Sequence, residues 1–122
     1  MNGLILFAHG ARDPRWAQPF QRLQTILSEQ QPQRQVALAY LELMSPSLPD
    51  AVAAMVAQGI THIDIAPMFL GVGAHMREDF PAIMTGLKAQ YPDVQLSVLP
   101  VLGESETLLQ RIADWVVQGI KE

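Results

Sequence analysis

Three residues of this chain stand directly after apolar runs, and each is of a type that can bind a metal or move a proton. His9 closes LILFAH, Glu42 closes VALAYLE, and His75 follows glycines in LGVGAH. Taken singly, a strand-end histidine more often satisfies backbone groups than holds a ligand. A terminal carboxylate serves solvation or a helix dipole as readily as chemistry. Taken together, two neutral imidazoles and a carboxylate suit a divalent first-row transition ion whose remaining coordination positions stay open. His62 precedes an apolar run instead of following one, so it is expected at the opposite edge of the fold, in a structural or merely exposed role.

Further residues surround these three along the sequence. Arg12, Arg15 and Arg77 flank the two histidine loops. They form either a solvated surface or a set of guanidinium forks for the carboxylates of a polyanionic ligand. Met44, Met68, Phe69, Leu70 and Val72 follow strand ends where polar residues are usual. Core packing would explain them, and so would a flat apolar ligand or a subunit contact. Gly71 and Gly73 are expected to allow backbone shapes closed to other residues and to let a bulky ligand approach.

The elements that must position these groups show in the period of apolar residues. Strands are expected at about Gly3 to Ala8, Gln35 to Glu42, His62 to Pro67 and Val94 to Leu99. Between and after them, Trp16, Phe20, Leu23 and Leu27 share one helical face, as do Leu48, Val52, Met55 and Val56. Phe80, Ile83, Met84 and Leu87 do the same, and so do Leu108, Ile112, Trp115 and Val116. Asp13-Pro14 and Ser45-Pro46 read as helix starts and Gly59 as a helix stop. The alternation implies an α/β fold over residues 1–122, a single three-layer α/β/α domain. Its four-stranded parallel sheet takes the flavodoxin-like order 2-1-3-4. In that order the first strand lies between the second and third. His9, Glu42 and the loop carrying His75 then emerge at the C-terminal edge of three neighbouring strands, where open α/β sheets bind ligands.

Composition narrows the choice of chemistry. The 122 residues include no cysteine, which removes disulfides, thiolate metal sites and cysteine nucleophiles. A net charge of -4, with no basic run interleaved with aromatics, argues against nucleic-acid binding. No apolar stretch approaches the roughly 20 residues of a membrane span, and the start Met1-Asn2-Gly3 lacks a basic leader region. A cytoplasmic protein without membrane attachment is expected.

The motifs AHGARDPRW, YLELMSPSL and PMFLGVGAHMREDFP resemble the class II tetrapyrrole chelatases, in particular the short, single-lobe sirohydrochlorin cobaltochelatases. The resemblance covers nearly the whole chain and is most specific in the third motif. It implies insertion of a divalent metal substrate, cobalt or iron with nickel as a further candidate, into sirohydrochlorin in cobalamin or siroheme biosynthesis, without an organic cofactor. It also implies that His9 and His75 are the metal-binding and catalytic pair, with Glu42 beside them. Arg12, Arg15 and Arg77 would meet the substrate's carboxylates, and Met44, Phe69, Leu70, Gly71 and Gly73 its ring. A homodimer would supply the second wall of the cleft. Many members carry Gly-His-Gly-Ser-Arg where this chain has Ala8-His9-Gly10-Ala11-Arg12, so a serine hydroxyl at that position is not needed here. Two other readings stay open: a non-catalytic metal or tetrapyrrole carrier, and a phosphohistidine phosphatase. The latter would lack the arginine expected before its histidine, since Ala8 stands there.

Overall fold

The computed structural model describes residues 1–120, and within them every side chain except that of His75. Four strands, β1 (Asn2–Ala8), β2 (Arg34–Tyr40), β3 (His62–Pro67) and β4 (Gln95–Val98), form one parallel sheet in the order β2-β1-β3-β4. This is the order expected from the alternation of elements. The register pairs Phe7 with Ala39 on one side and with Pro67 on the other, so the ends of β1, β2 and β3 reach the same edge.

The sheet divides its side chains between two faces because successive residues of a strand point to opposite sides. Ile5, Phe7, Ile63 and Ile65 share one face and are fully buried there. Two helices cover that face: α2 (Leu48–Ala57), through Leu48, Val52 and Met55, and α3 (Ala74–Gln90), through Met76, Met84 and Leu87. The other face carries Leu6 and Ala8. Here α1 (Gln18–Gln30) and the 3-10 turn Pro14–Ala17 before it pack Trp16, Ala17 and Phe20 against Ala8, Leu38 and Tyr40. A fourth helix, α4 (Glu106–Gly119), follows the short turn Leu102–Glu104.

Several boundaries differ from the sequence reading for local reasons. Asp13 does cap as expected, accepting the Arg15 N–H, but the turn it starts is 3-10 and α1 begins only at Gln18. The cap of α2 is Ser47, not Ser45: its Oγ accepts the Asp50 N–H at 3.2 Å, with Pro49 in the first turn. Pro46 stays in the preceding loop, its carbonyl held by the Tyr40 N–H at 2.9 Å. β2 ends at Tyr40, which leaves Glu42 in the loop beyond. His75 lies in the first turn of α3 and not in a loop. Residues 74 to 80 contain no helix breaker, so the helix can start as early as Ala74, with Gly73 as its cap position. Gly59, at φ 85, stops α2 as expected.

The fourth helical face departs furthest. Its apolar period predicts a core contact through Leu108, Ile112, Trp115 and Val116. Leu108 and Ile112 are only half-buried, and every residue from 113 to 120 is exposed.

Tyr40 links this fold to pH. Burial against α1 pushes its phenol above the ordinary tyrosine value. The unfolded chain therefore ionises first, so stability falls as pH rises past about 10. Tyr40→Phe should leave stability nearly unchanged at neutral pH and flatten the loss above about pH 10, read by chemical denaturation across that range.

Candidate functional site

The rim of the site is an extension of the sheet beyond its strands. The Leu41 N–H donates to the Ala8 carbonyl at 2.9 Å, and the Glu42 N–H donates to the His9 carbonyl at 3.1 Å. The first bond belongs to the last β1–β2 ladder pair, Ala8 with Tyr40, and the second ties the two following loops together just past it. Gly10 then turns away at φ 96, and a Cβ there would run into the Glu42 carbonyl. Only glycine meets both conditions without strain. The Glu42 carbonyl in turn accepts the Met44 N–H at 2.8 Å, closing a three-residue turn around Leu43, which sits at φ 64.

This backbone frame brings two of the three expected chemical groups together. His9 Nε2 and Glu42 Oε1 are 2.9 Å apart, with their side chains 55% and 54% exposed. An ionised carboxylate only accepts, so with a neutral ring Nε2–H donates and Nδ1 keeps its lone pair. The carboxylate thereby fixes the tautomer and aims a free nitrogen, the arrangement that second-sphere carboxylates impose on metal-binding histidines. Partial exposure leaves the pair open to a ligand. The first turn of α3, which contains His75, follows β3 and begins at the same edge. The ring of His75 lies outside the described residues. Among the described side chains no three metal-binding groups converge.

The arginines part company. Arg15 is engaged within its own turn, its guanidinium forking onto both Asp13 oxygens at 2.7 to 3.1 Å. That pairing holds the Asp13 carboxyl below and the Arg15 guanidinium above their ordinary values. Arg12 and Arg77 are exposed and make no side-chain hydrogen bond or ion pair to another described residue, so they remain available to an anion.

The apolar candidates divide similarly. Phe69 is 8% exposed and packs edge-on against Phe7, with ring centroids 5.6 Å apart. Its ring is committed to the core. Met44 packs against the cluster of Ala8, Ala17 and Tyr40. Leu70, in contrast, is 65% exposed at the rim. Gly71 and Gly73 adopt no left-handed backbone, and a Cβ on either would meet open space. The conformational work expected of them falls to Gly10 and to Gly103, whose N–H donates to the Phe69 carbonyl at 3.1 Å against the Leu70 backbone. Leu43, exposed and held at positive φ beside Glu42, escapes the sequence reading because nothing in a leucine announces that conformation. His62 is where it is expected, at the far end of β3, 3.4 Å from Asp64, which also pairs with Arg34.

Comparison with known proteins gives the family. A family model described as CbiX matches residues 3–119. The chain belongs to the CbiX family. It is 30% identical over 82 residues to a sirohydrochlorin cobaltochelatase of Methanothermobacter thermautotrophicus, covering 67% of this chain and 57% of that one. A crystal structure of a CbiX protein named for cobalamin (vitamin B12) biosynthesis, from Marinobacter aquaeolei VT8, superposes with a TM-score of 0.82 at 33% identity. That match covers 97% of this chain and 96% of that one. The sirohydrochlorin chelatase SirB from Bacillus subtilis subspecies spizizenii, in complex with cobalt, superposes with a TM-score of 0.71 at 26% identity. It covers 98% of this chain but 51% of SirB. The chain spans 29% and 57% of the length of the first curated relatives it matches.

Gly10→Ala tests the rim as a mechanical unit. The added Cβ meets main chain, and positive φ penalises it further, so a loss of about 1–3 kcal/mol is expected in denaturant unfolding. The chemical shifts of His9 and Glu42 should move with it.

Proposed function

We propose that this chain inserts a divalent metal into a sirohydrochlorin-type tetrapyrrole, acting as a cytoplasmic homodimer in the synthesis of cobalamin or siroheme. Cobalt and iron are the favoured metal substrates and nickel a further one. The observation that carries this reading is the His9–Glu42 pair, 2.9 Å apart on the exposed C-terminal rim of a CbiX-family sheet. The cobaltochelatase and ferrochelatase names of the curated relatives support the choice of substrate.

Insertion exchanges one dication for two pyrrole N–H protons, so the site must hold the ion loosely and also remove protons. Neutral imidazole can serve as ligand or as proton acceptor near neutral pH. With Nε2–H bound to Glu42, the free Nδ1 of His9 is the atom for either task. Glu42 then acts through His9: it sets the tautomer, and it stabilises the imidazolium that forms when Nδ1 takes a proton. His75, from the first turn of α3, is the proposed partner for the ion. A site with two protein ligands keeps positions open for the incoming pyrrole nitrogens, whereas a closed four-ligand site would retain the metal. Arg12 and Arg77 offer charge to the substrate's carboxylates, and exposed Leu70 and Leu43 offer apolar surface to its ring. Arg15, already paired with Asp13, contributes less to anion binding. A second copy supplies the opposite wall of a cleft that one rim leaves open.

The test is anaerobic mixing of purified protein with sirohydrochlorin and Co²⁺, Fe²⁺ or Ni²⁺, following the absorption spectrum against protein-free controls. Accelerated insertion is expected, with His9→Ala and His75→Ala each removing most of it. Glu42→Ala should cost about 10–100-fold, the range for outer-sphere partners of metal-binding histidines, and should release the Nε2–H preference of His9 in nitrogen-detected NMR. Binding of metal and tetrapyrrole without faster insertion would establish a carrier instead.

A further inference from the structure

Leu43 sits in a conformation that its own side chain opposes. At φ 64 it occupies the left-handed region, where a β-carbon crowds the backbone and glycine or asparagine is the ordinary choice. Bonds on both sides hold it there. The Glu42 N–H donates to the His9 carbonyl at 3.1 Å, the Met44 N–H donates to the Glu42 carbonyl at 2.8 Å, and Met44 packs onto the cluster of Ala8, Ala17 and Tyr40. Glycine at the centre of this turn would keep every one of those bonds without strain, so the fold itself does not call for a leucine.

Nor does the side chain add to the core. Leu43 is 59% exposed and belongs to neither buried cluster of the described residues. A residue that is strained and also leaves its apolar surface in water points to a contact made outside the free lobe. Its neighbour shows where that contact lies, because Glu42 holds His9 Nε2 at 2.9 Å.

Leu70 stands on the other side of the same histidine. It follows β3 and is exposed, and its backbone is fixed by Gly103, which donates to the adjacent Phe69 carbonyl; a β-carbon at Gly103 would run into the Leu70 carbonyl. Because β1 runs between β2 and β3, the strand ends that lead into the two leucines are two strand spacings apart, about 10 Å, with the end of β1 and His9 between them.

We propose that Leu43 and Leu70 are two apolar posts that select the substrate by width. A flat conjugated macrocycle rests on both and is centred over His9, whereas a single pyrrole or a hydrated ion engages at most one. The inference rests on the tetrapyrrole reading above and assigns its ring recognition to these two residues. The turn at Leu43 holds one post outward before any ligand arrives.

Titration with metal-free sirohydrochlorin, followed by its absorption, separates this from the insertion chemistry. Leu43→Asn suits the left-handed turn and removes the apolar contact, so its unfolding midpoint should equal or exceed that of the wild type while ring affinity falls about tenfold. Leu70→Gln should lose a similar factor, and Leu43→Met should retain ring binding. Calorimetric binding of Co²⁺ alone should be the same in the wild type and every variant. In insertion assays the loss should fall on KM more than on kcat. Porphobilinogen in excess, a single pyrrole with the same kinds of carboxylate chain, should not displace the ring. Unchanged ring affinity in Leu43→Asn or Leu70→Gln overturns the proposal, as does displacement by porphobilinogen or a Leu43→Asn protein less stable than the wild type. A loss of affinity that tracks a change in sedimentation also overturns it, by making Leu43 a contact between copies. Each of these results leaves the chelatase reading standing, since the wild type still inserts metal. A wild type that binds no sirohydrochlorin removes both, and ring binding with the stated losses but no insertion keeps the posts and removes the chemistry.

Discussion

The chemistry proposed for this protein depends on a short run of backbone hydrogen bonds past the ends of β1 and β2. Parallel strands ordinarily diverge into loops once their ladder stops, and side chains on such loops are placed imprecisely. Here the Glu42 N–H still holds the His9 carbonyl just past the last ladder pair, so His9 and Glu42 are tied to the end of the sheet. The buried face of β1 supplies the foundation, because Ile5 and Phe7 are locked between the sheet and helices α2 and α3. Without that anchorage, the 2.9 Å spacing between imidazole and carboxylate would depend on two exposed side chains finding each other in water, an interaction worth little by itself.

The sheet order and the position of the rim were legible in the sequence because they follow from alternation, handedness and length. Leu4 to Ala8 and Val36 to Tyr40 are apolar at every position, as a sheet covered on both sides requires. His9 and Glu42 could be placed on the same edge by topology alone, and the structure brings them into contact. Less legible was everything decided by competition between neighbours. Ser45-Pro46 and Ser47-Leu48-Pro49 both look like helix starts, and only the grip of Tyr40 on the Pro46 carbonyl selects the second. The glycines misled in the same way: Gly71 and Gly73 catch the eye as a pair, while the positive-φ turn belongs to Gly10, and the close approach is shared between Gly10 and Gly103.

The two largest departures have a common cause. Phe69, which the resemblance offers to the substrate's ring, is held edge-on in the core, and α4, whose apolar residues share one face as in the other helices, lies largely open. Periodicity reports which residues want to leave water without saying which surface receives them. A stripe through Trp115 and Val116 is equally consistent with an internal contact and with one made to another body. Arg15 illustrates the electrostatic version of this ambiguity. Its charge is visible in the sequence, but its commitment to Asp13, two residues away, appears only once the turn is formed.

The main chain of Glu42 is tied at both its N–H and its carbonyl, and the wall formed by Gly10 closes the space behind it. None of these ties uses the carboxylate. The position is consequently a socket whose location is independent of what is plugged into it. Reactivity at this rim can be retuned by exchanging one side chain, with the scaffold that carries it left as it is.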